Sequence, residues 1–178
     1  MPRLVSQMRR SLLVVALLGM ALPGCAPQQA PVSTVALPAG ARPDLNRQRW
    51  VAANGTFNWP PDDGFAAAPV LEVLPQGMLL DRFGSDGGNF FSPAGAAYGK
   101  RALPYVCLQQ AYTVFRVTAP VAAWAGRAAP WFDEPGGATQ FETDANAARM
   151  IRDSVIAPIS RDAPGVDAPD RPCDAAPH

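Results

Sequence analysis

A single histidine, His178, occurs in the 178 residues, and it is the last of them. A Ser-His-Asp triad, a histidine-activated thiol or a histidine-rich zinc site would have to be assembled on a chain end, where ordering is poor, so all three are set aside. The chain also lacks an excess of either charge, with 15 basic residues against 15 acidic ones. No apolar run is long enough for a comfortable bilayer span, which takes roughly 20 residues at ~1.5 Å each. The longest, Ser11 to Leu22, follows Arg3, Arg9 and Arg10, with no acid in residues 1–24, and reads as a secretory signal. Internal repeats are absent.

The run closes on Leu22-Pro23-Gly24-Cys25, which resembles a bacterial lipobox with Cys25 as the lipidated residue of an exported, envelope-anchored protein. Removing residues 1–24 takes away three positive charges and leaves a net charge of about −3. No Lys/Arg stripe then remains for a nucleic-acid backbone, although isolated arginines still suit a small anionic ligand. Residues 25–56, rich in Ala and Pro with few large apolar groups, read as a flexible tether, and residues 157–178 as a Pro/Asp/Ala-rich tail. Export permits a disulfide between Cys107 and Cys173, which the chain-entropy model values at roughly 4 kcal/mol. Two free thiols and a disordered tail are the open alternative.

Twenty prolines and 15 glycines argue against long helices and for turn-rich strand structure. The expected strands are Val70–Leu74, Met78–Phe83, Asn89–Phe91 and Ala111–Val117, with Pro75-Gln76-Gly77 turning the first into the second. One helix is expected, capped by Asp144, with Ala147, Ile151 and Val155 on one face and Pro158 ending it. The predicted fold over residues 57–156 is α+β, a small antiparallel-sheet core with a few short helices.

Five strings then stand in order: Trp59-Pro-Pro-Asp-Asp-Gly-Phe65, Asp81-Arg-Phe-Gly84, Phe91-Ser-Pro-Ala-Gly95, Arg101-Ala-Leu-Pro104 and Trp131-Phe-Asp-Glu-Pro-Gly-Gly-Ala-Thr-Gln140. Together they closely resemble the TNT family, the tuberculosis necrotizing toxin type of NAD glycohydrolase domain. The resemblance implies a compact β-rich core and cleavage of NAD or NADP to nicotinamide and ADP-ribose, with no cofactor, no metal and a toxin-like role. A cognate inhibitor protein would be a possible partner.

That chemistry is compatible with a site lacking histidine. Nicotinamide bonded in NAD is already a cationic pyridinium and leaves neutral, so its departure needs no proton donor, unlike that of an ordinary glycoside. The reaction needs a grip on the pyrophosphate, a slot for the nicotinamide and polar groups around the ribose as it becomes oxocarbenium-like. Arg82 and Arg101 are the pyrophosphate candidates, because guanidinium forks match phosphate oxygens. Phe83 and Phe90 are candidates for the nicotinamide slot, a cation over an aromatic face gaining about 0.5–2 kcal/mol. Gly84 opens a glycine stretch, Gly84 to Gly88, whose backbone N–H groups suit an anion. Gln140 is the candidate for the ribose, with Glu142 two residues on and, in a strand, on the same face. Strand alternation sends Arg82 and Phe83 to opposite faces, and likewise Phe90 and Phe91. Trp124, Trp131 and Phe132 read as core.

The sequence departs from the family pattern at Thr113, in the Tyr112-Thr-Val-Phe115 segment where the family commonly shows histidine, and at Ala138, where a third glycine is frequent. Asp62-Asp63 and Asp133-Glu134 read as solvated loop acids rather than calcium ligands. A mono-ADP-ribosyltransferase using Glu142 and a non-catalytic binding lipoprotein are the alternative functions.

Overall fold

The structure, a computed structural model, describes residues 35–160 and 169–173. Seven strands form one antiparallel sheet: β1 Val70–Leu74, β2 Leu79–Phe83, β3 Phe90–Pro93, β4 Tyr112–Val117, β5 Val121–Arg127, β6 Thr139–Glu142 and β7 Ile156–Ile159. Their spatial order is β1-β5-β6-β3-β2-β4-β7, so the sheet is antiparallel throughout and the α+β expectation holds. One face carries the main core, in which Leu74, Leu80, Phe91, Phe115, Phe141, Met150 and Ile156 are all buried. Each large side chain there contributes about 1.5–3 kcal/mol of burial.

β3 joins the two halves of the sheet. Its C-terminal residues pair with β2, Leu80 with Pro93 and Asp81 with Ser92. Its N-terminal residues pair with β6 instead, Phe90 with Glu142 and Phe91 with Phe141. β2 and β3 therefore part beyond Asp81 and Ser92, and the sheet opens at that point.

Three expectations are corrected. The helix, α2, is shorter, Ala147–Arg152, and is capped by Asn146 rather than Asp144: the Asn146 side chain accepts from Arg149 N–H at 2.9 Å. The chain leaves it through Ser154, at φ 55°, and enters β7, so Val155 and Pro158 are not helical. Pro158 is tolerated because β7 is an edge strand, paired only with β4, where a missing N–H faces no neighbour. Consequently residues 157–160, read as tail, include the end of that strand.

The second correction concerns the tether. From residue 35 onward the chain is folded: Leu45, Trp50 and Val51 bury themselves with Phe57 and Phe132 in a second apolar cluster. A short helix, α1 Arg47–Trp50, is capped by Asn46, and Trp50 Nε1–H donates to Asp133 Oδ2 at 2.7 Å. Arg42 pairs with Glu134 and donates to the Phe132 carbonyl at 2.7 Å, so Asp133 and Glu134 serve this packing. A few aromatic and aliphatic anchors order a segment whose average composition is loop-like. Third, Trp124 is not core; it is 43% exposed on the outer sheet face, whereas Phe132 is fully buried.

Candidate active site

Where β2 and β3 part, a cleft of about 350 Å³ opens. Arg82, Phe83, Phe90, Arg101 and Gln140 all line it, together with Trp59, Ser92, Leu103 and Tyr105. Alternation along β2 had separated Arg82 from Phe83. Both reach the cleft because the β2–β3 ladder ends at Asp81, which lets Arg82 enter from the core side through the gap while Phe83 approaches from the outer face. Phe90 is 38% exposed in the cleft, while Phe91 packs edge-on against Phe115 and presents only its rim.

The two arginines differ in electrostatic setting. Arg82 is only 7% exposed, and among the described residues no carboxylate lies within ion-pair distance of it and its Nε makes no hydrogen bond. Its Nη1 reaches the Phe90 carbonyl at 3.4 Å, and its guanidinium carbon lies 5.6 Å from the Phe91 ring centre. Burial pushes its pKa below the ordinary arginine value, with the more distant charge of Asp86 opposing the shift. The guanidinium fits only because residue 88 is glycine: a Cβ there would collide with Nη1 and Nη2.

Arg101 is held in a network. It ends the 3-10 turn Gly99–Arg101, is 9% exposed, and donates from Nε and Nη2 to the Ala96 carbonyl at 3.0 and 2.7 Å. Asp81 Oδ1 forms an ion pair with Nη2 at 2.5 Å, and Phe83 lies beneath the guanidinium at 5.0 Å. Asp81 Oδ2 accepts from Gly95 N–H and from Tyr112 O–H, each at 2.8 Å. Burial pushes the Asp81 carboxyl above the usual range, against Arg101 and these hydrogen bonds, which favour its charged form.

Gln140 projects from β6 on the face opposite Phe141, which is core. Its Nε2 donates to the Asp63 carbonyl at 2.9 Å, leaving Oε1 to accept from a ligand. That carbonyl is placed by three successive left-handed residues, Asp62, Asp63 and Gly64, at φ 51°, 51° and 78°. Asp tolerates this conformation better than most residues. The loop is anchored by Phe65, whose ring covers Gly126 of β5.

Two expected residues are not brought to this cleft. Gly84, at φ 96°, makes the bend after β2, but its N–H donates to the Ala111 carbonyl at 2.9 Å and so is not offered to an anion. Glu142 shares a strand face with Gln140 yet lines a neighbouring cleft of about 620 Å³ with Asp62, Asp63, Trp124 and Asp144. Burial, followed by the charges of Asp63 and Asp144, pushes Glu142 above the ordinary carboxylate range, against a hydrogen bond from Asn89. Thr113 pairs with Arg82 across β2 and β4 and is not a lining residue. The other departure is harmless to the fold: Gly136 and Gly137 adopt positive φ, whereas Ala138 does not and is buried. Cys107 and Cys173 form a disulfide, and Cys25 lies outside the described residues. Trp59, Leu103 and Tyr105 are additions; Trp59 and Leu103 stand in the quoted strings, but nothing local distinguished them from core.

Two buried guanidinium groups, exposed aromatic rings and one carboxamide together suit a small ligand that is both anionic and aromatic. Residues 73–159 match the profile of the family described as Tuberculosis necrotizing toxin, or TNT. The conidial surface nicotinamide adenine dinucleotide glycohydrolase nadA of Aspergillus fumigatus is 42% identical over 119 residues, covering 60% of this chain and 51% of the relative. The chain thus spans about half the length of that curated relative. Among solved structures, tuberculosis necrotizing toxin complexed with its immunity factor matches with a TM-score of 0.51 at 21% identity, covering 61% of this chain and 66% of that one, a likeness of fold. Residues 73–159, which hold most of the sheet, thus carry the TNT family's profile.

Proposed function

We propose that the domain is an NAD glycohydrolase that hydrolyses the bond between nicotinamide and ribose in NAD, and in NADP as well, releasing nicotinamide and ADP-ribose. The observation that carries this reading is Arg82, a guanidinium buried at the wall of a cleft with no carboxylate partner among the described residues. An unpaired buried cation is costly, and an incoming pyrophosphate would supply the missing charge. Arg101 would take a second phosphate oxygen, although Asp81 already offsets part of its charge. Phe83 and Phe90 would flank the pyridinium, whose positive charge favours ring faces.

Gln140 Oε1 would accept from a ribose hydroxyl and hold the sugar as the C–N bond lengthens and positive charge moves from the pyridinium onto the ribose. Water then attacks the anomeric carbon and loses a proton to solvent. No imidazole is needed, because the leaving group departs neutral. The name of the Aspergillus relative supports the substrate, since that protein is called a nicotinamide adenine dinucleotide glycohydrolase. Transfer to an acceptor through Glu142 is less well supported, because Glu142 lines the other cleft.

The test is to incubate the protein with NAD and quantify nicotinamide, free ADP-ribose and labelled acceptor. Arg82→Ala and Gln140→Ala should each lower kcat/KM for NAD by about 10²–10³ while leaving the fold intact. Wild-type rates in both variants would remove the assignment, and label on an acceptor would redirect it to transferase chemistry. We also propose export and attachment to a bilayer through lipidated Cys25, from the pattern of residues 1–25.

A further inference from the structure

The short C-terminal segment Pro169–Cys173 has no regular structure, yet it is fastened to the back of the site. Cys173 is bonded to Cys107. The Pro172 carbonyl accepts from Tyr98 N–H at 2.9 Å, and Arg171 donates to the Leu108 carbonyl at 3.1 Å. The Arg171 guanidinium also lies 5.7 Å from the Tyr112 ring centre, and Pro169 lies against Gly95.

These contacts lead to one group. Tyr98 begins the turn that ends in Arg101, and its ring packs on Phe83 at 4.7 Å. Gly95 and Tyr112 are the two donors to Asp81 Oδ2, while Asp81 Oδ1 pairs with Arg101. The segment therefore braces the supports of Arg101 from three directions. The disulfide ties this segment, which has no helix or strand of its own, to the turn at Cys107, and such a cross-link removes alternatives otherwise open to an irregular chain.

We propose that Pro169–Cys173 is a positioning element for Arg101, held in place by the Cys107–Cys173 disulfide, so that reduction of this bond weakens dinucleotide binding. The step is a thiol–disulfide exchange: a dithiol gives two electrons and two protons, becomes a disulfide itself, and leaves Cys107 and Cys173 as thiols. The identity of the ligand rests on the proposed glycohydrolase activity; the bracing of Arg101 does not.

The experiment compares full-length wild type, oxidised and in dithiothreitol, with Cys173→Ser and the double variant Cys107→Ser/Cys173→Ser. Arg101 grips a part of the substrate that does not react, so its loosening should raise KM for NAD by about tenfold and change kcat by less than about threefold. Dithiothreitol should reproduce this in wild type and do nothing to the double variant. Backbone exchange of Arg101 and Ala102, which donate to Tyr98 and Gly99 carbonyls at 2.9 and 3.3 Å, should quicken in parallel. Unchanged KM and exchange, with only a lower Tm, would overturn the proposal by reducing the disulfide to a general staple. If oxidised wild type releases no nicotinamide, the glycohydrolase reading fails, and the exchange of Arg101 alone decides whether the brace stands.

Discussion

Arg82 and Arg101 occupy one cleft, but only Arg101 meets a carboxylate, and this difference sets what each substitution does. Gly88 permits the Arg82 position, since its backbone is not at positive φ and the atoms nearest to an added Cβ all belong to that guanidinium. Gly88→Ala should therefore displace the arginine without disrupting the chain: kcat/KM for NAD falls by about 10²-fold and Tm barely moves. A drop in Tm with normal kinetics would show that the glycine serves the backbone instead. Glu142 supplies a pH prediction. Its pKa in the folded protein lies above the ordinary 4.5, so the folded state holds the proton more tightly than the unfolded chain. The stability this gives is fully present below about pH 4.5 and is lost as pH rises through the folded value. Glu142→Gln, which does not titrate, should gain on wild type in denaturant unfolding between pH 4 and pH 7; a constant difference would contradict the shift.

At the level of elements, β6, which carries Gln140, and β5, which pairs with it, were absent from the expected strands. β5 reads Val-Ala-Ala-Trp-Ala-Gly-Arg, poor in β-branched residues, and it is a strand because β1 and β6 flank it with paired backbone groups. Its Gly126 has no local signal of importance. In the sheet it stands opposite Gln140, and a Cβ there would lie 2.7 Å from Phe65 Cδ1. Gly126→Ala should push Phe65 outward, carry the Asp63 carbonyl away from Gln140, and cost about 1–3 kcal/mol of stability together with about a tenfold loss in kcat/KM. Unaltered kinetics in a folded Gly126→Ala protein, checked by steady-state assay beside thermal melting, would show that the loop does not position Gln140. The short helix was misplaced for a related reason: Asp144 and Asn146 are both good caps, and the choice between them came from where β6 ends and β7 begins.

For the whole molecule, the anchoring proposal makes its own prediction. In a host that processes lipoproteins, mass spectrometry should find a lipid thioether on Cys25, and Cys25→Ser should move the protein from the membrane to the soluble fraction; an unmodified Cys25 in mature protein would refute it. Residues 35–56 and 169–173 widen the folded region beyond the boundaries composition suggested, one through a Trp50–Phe57–Phe132 cluster and the other through a disulfide. Average composition hides such anchors, because two or three large side chains suffice to order a stretch otherwise dominated by small and polar residues.

What the amino-acid order by itself determined was chemical: no internal histidine, arginines and phenylalanines in recurring strings, an antiparallel fold, and a carboxamide after a glycine pair. Those follow from residue type and local period, which need no knowledge of distant partners. Only the tertiary structure decided which of these groups meet. The parting of β2 from β3 admits Arg82 and Phe83 to one cleft, the Gly84 N–H is consumed by Ala111, and Glu142 is turned into a separate cleft. Each outcome depends on pairings between residues far apart in the chain, where register and ladder ends are set by packing of the whole sheet rather than by any local preference.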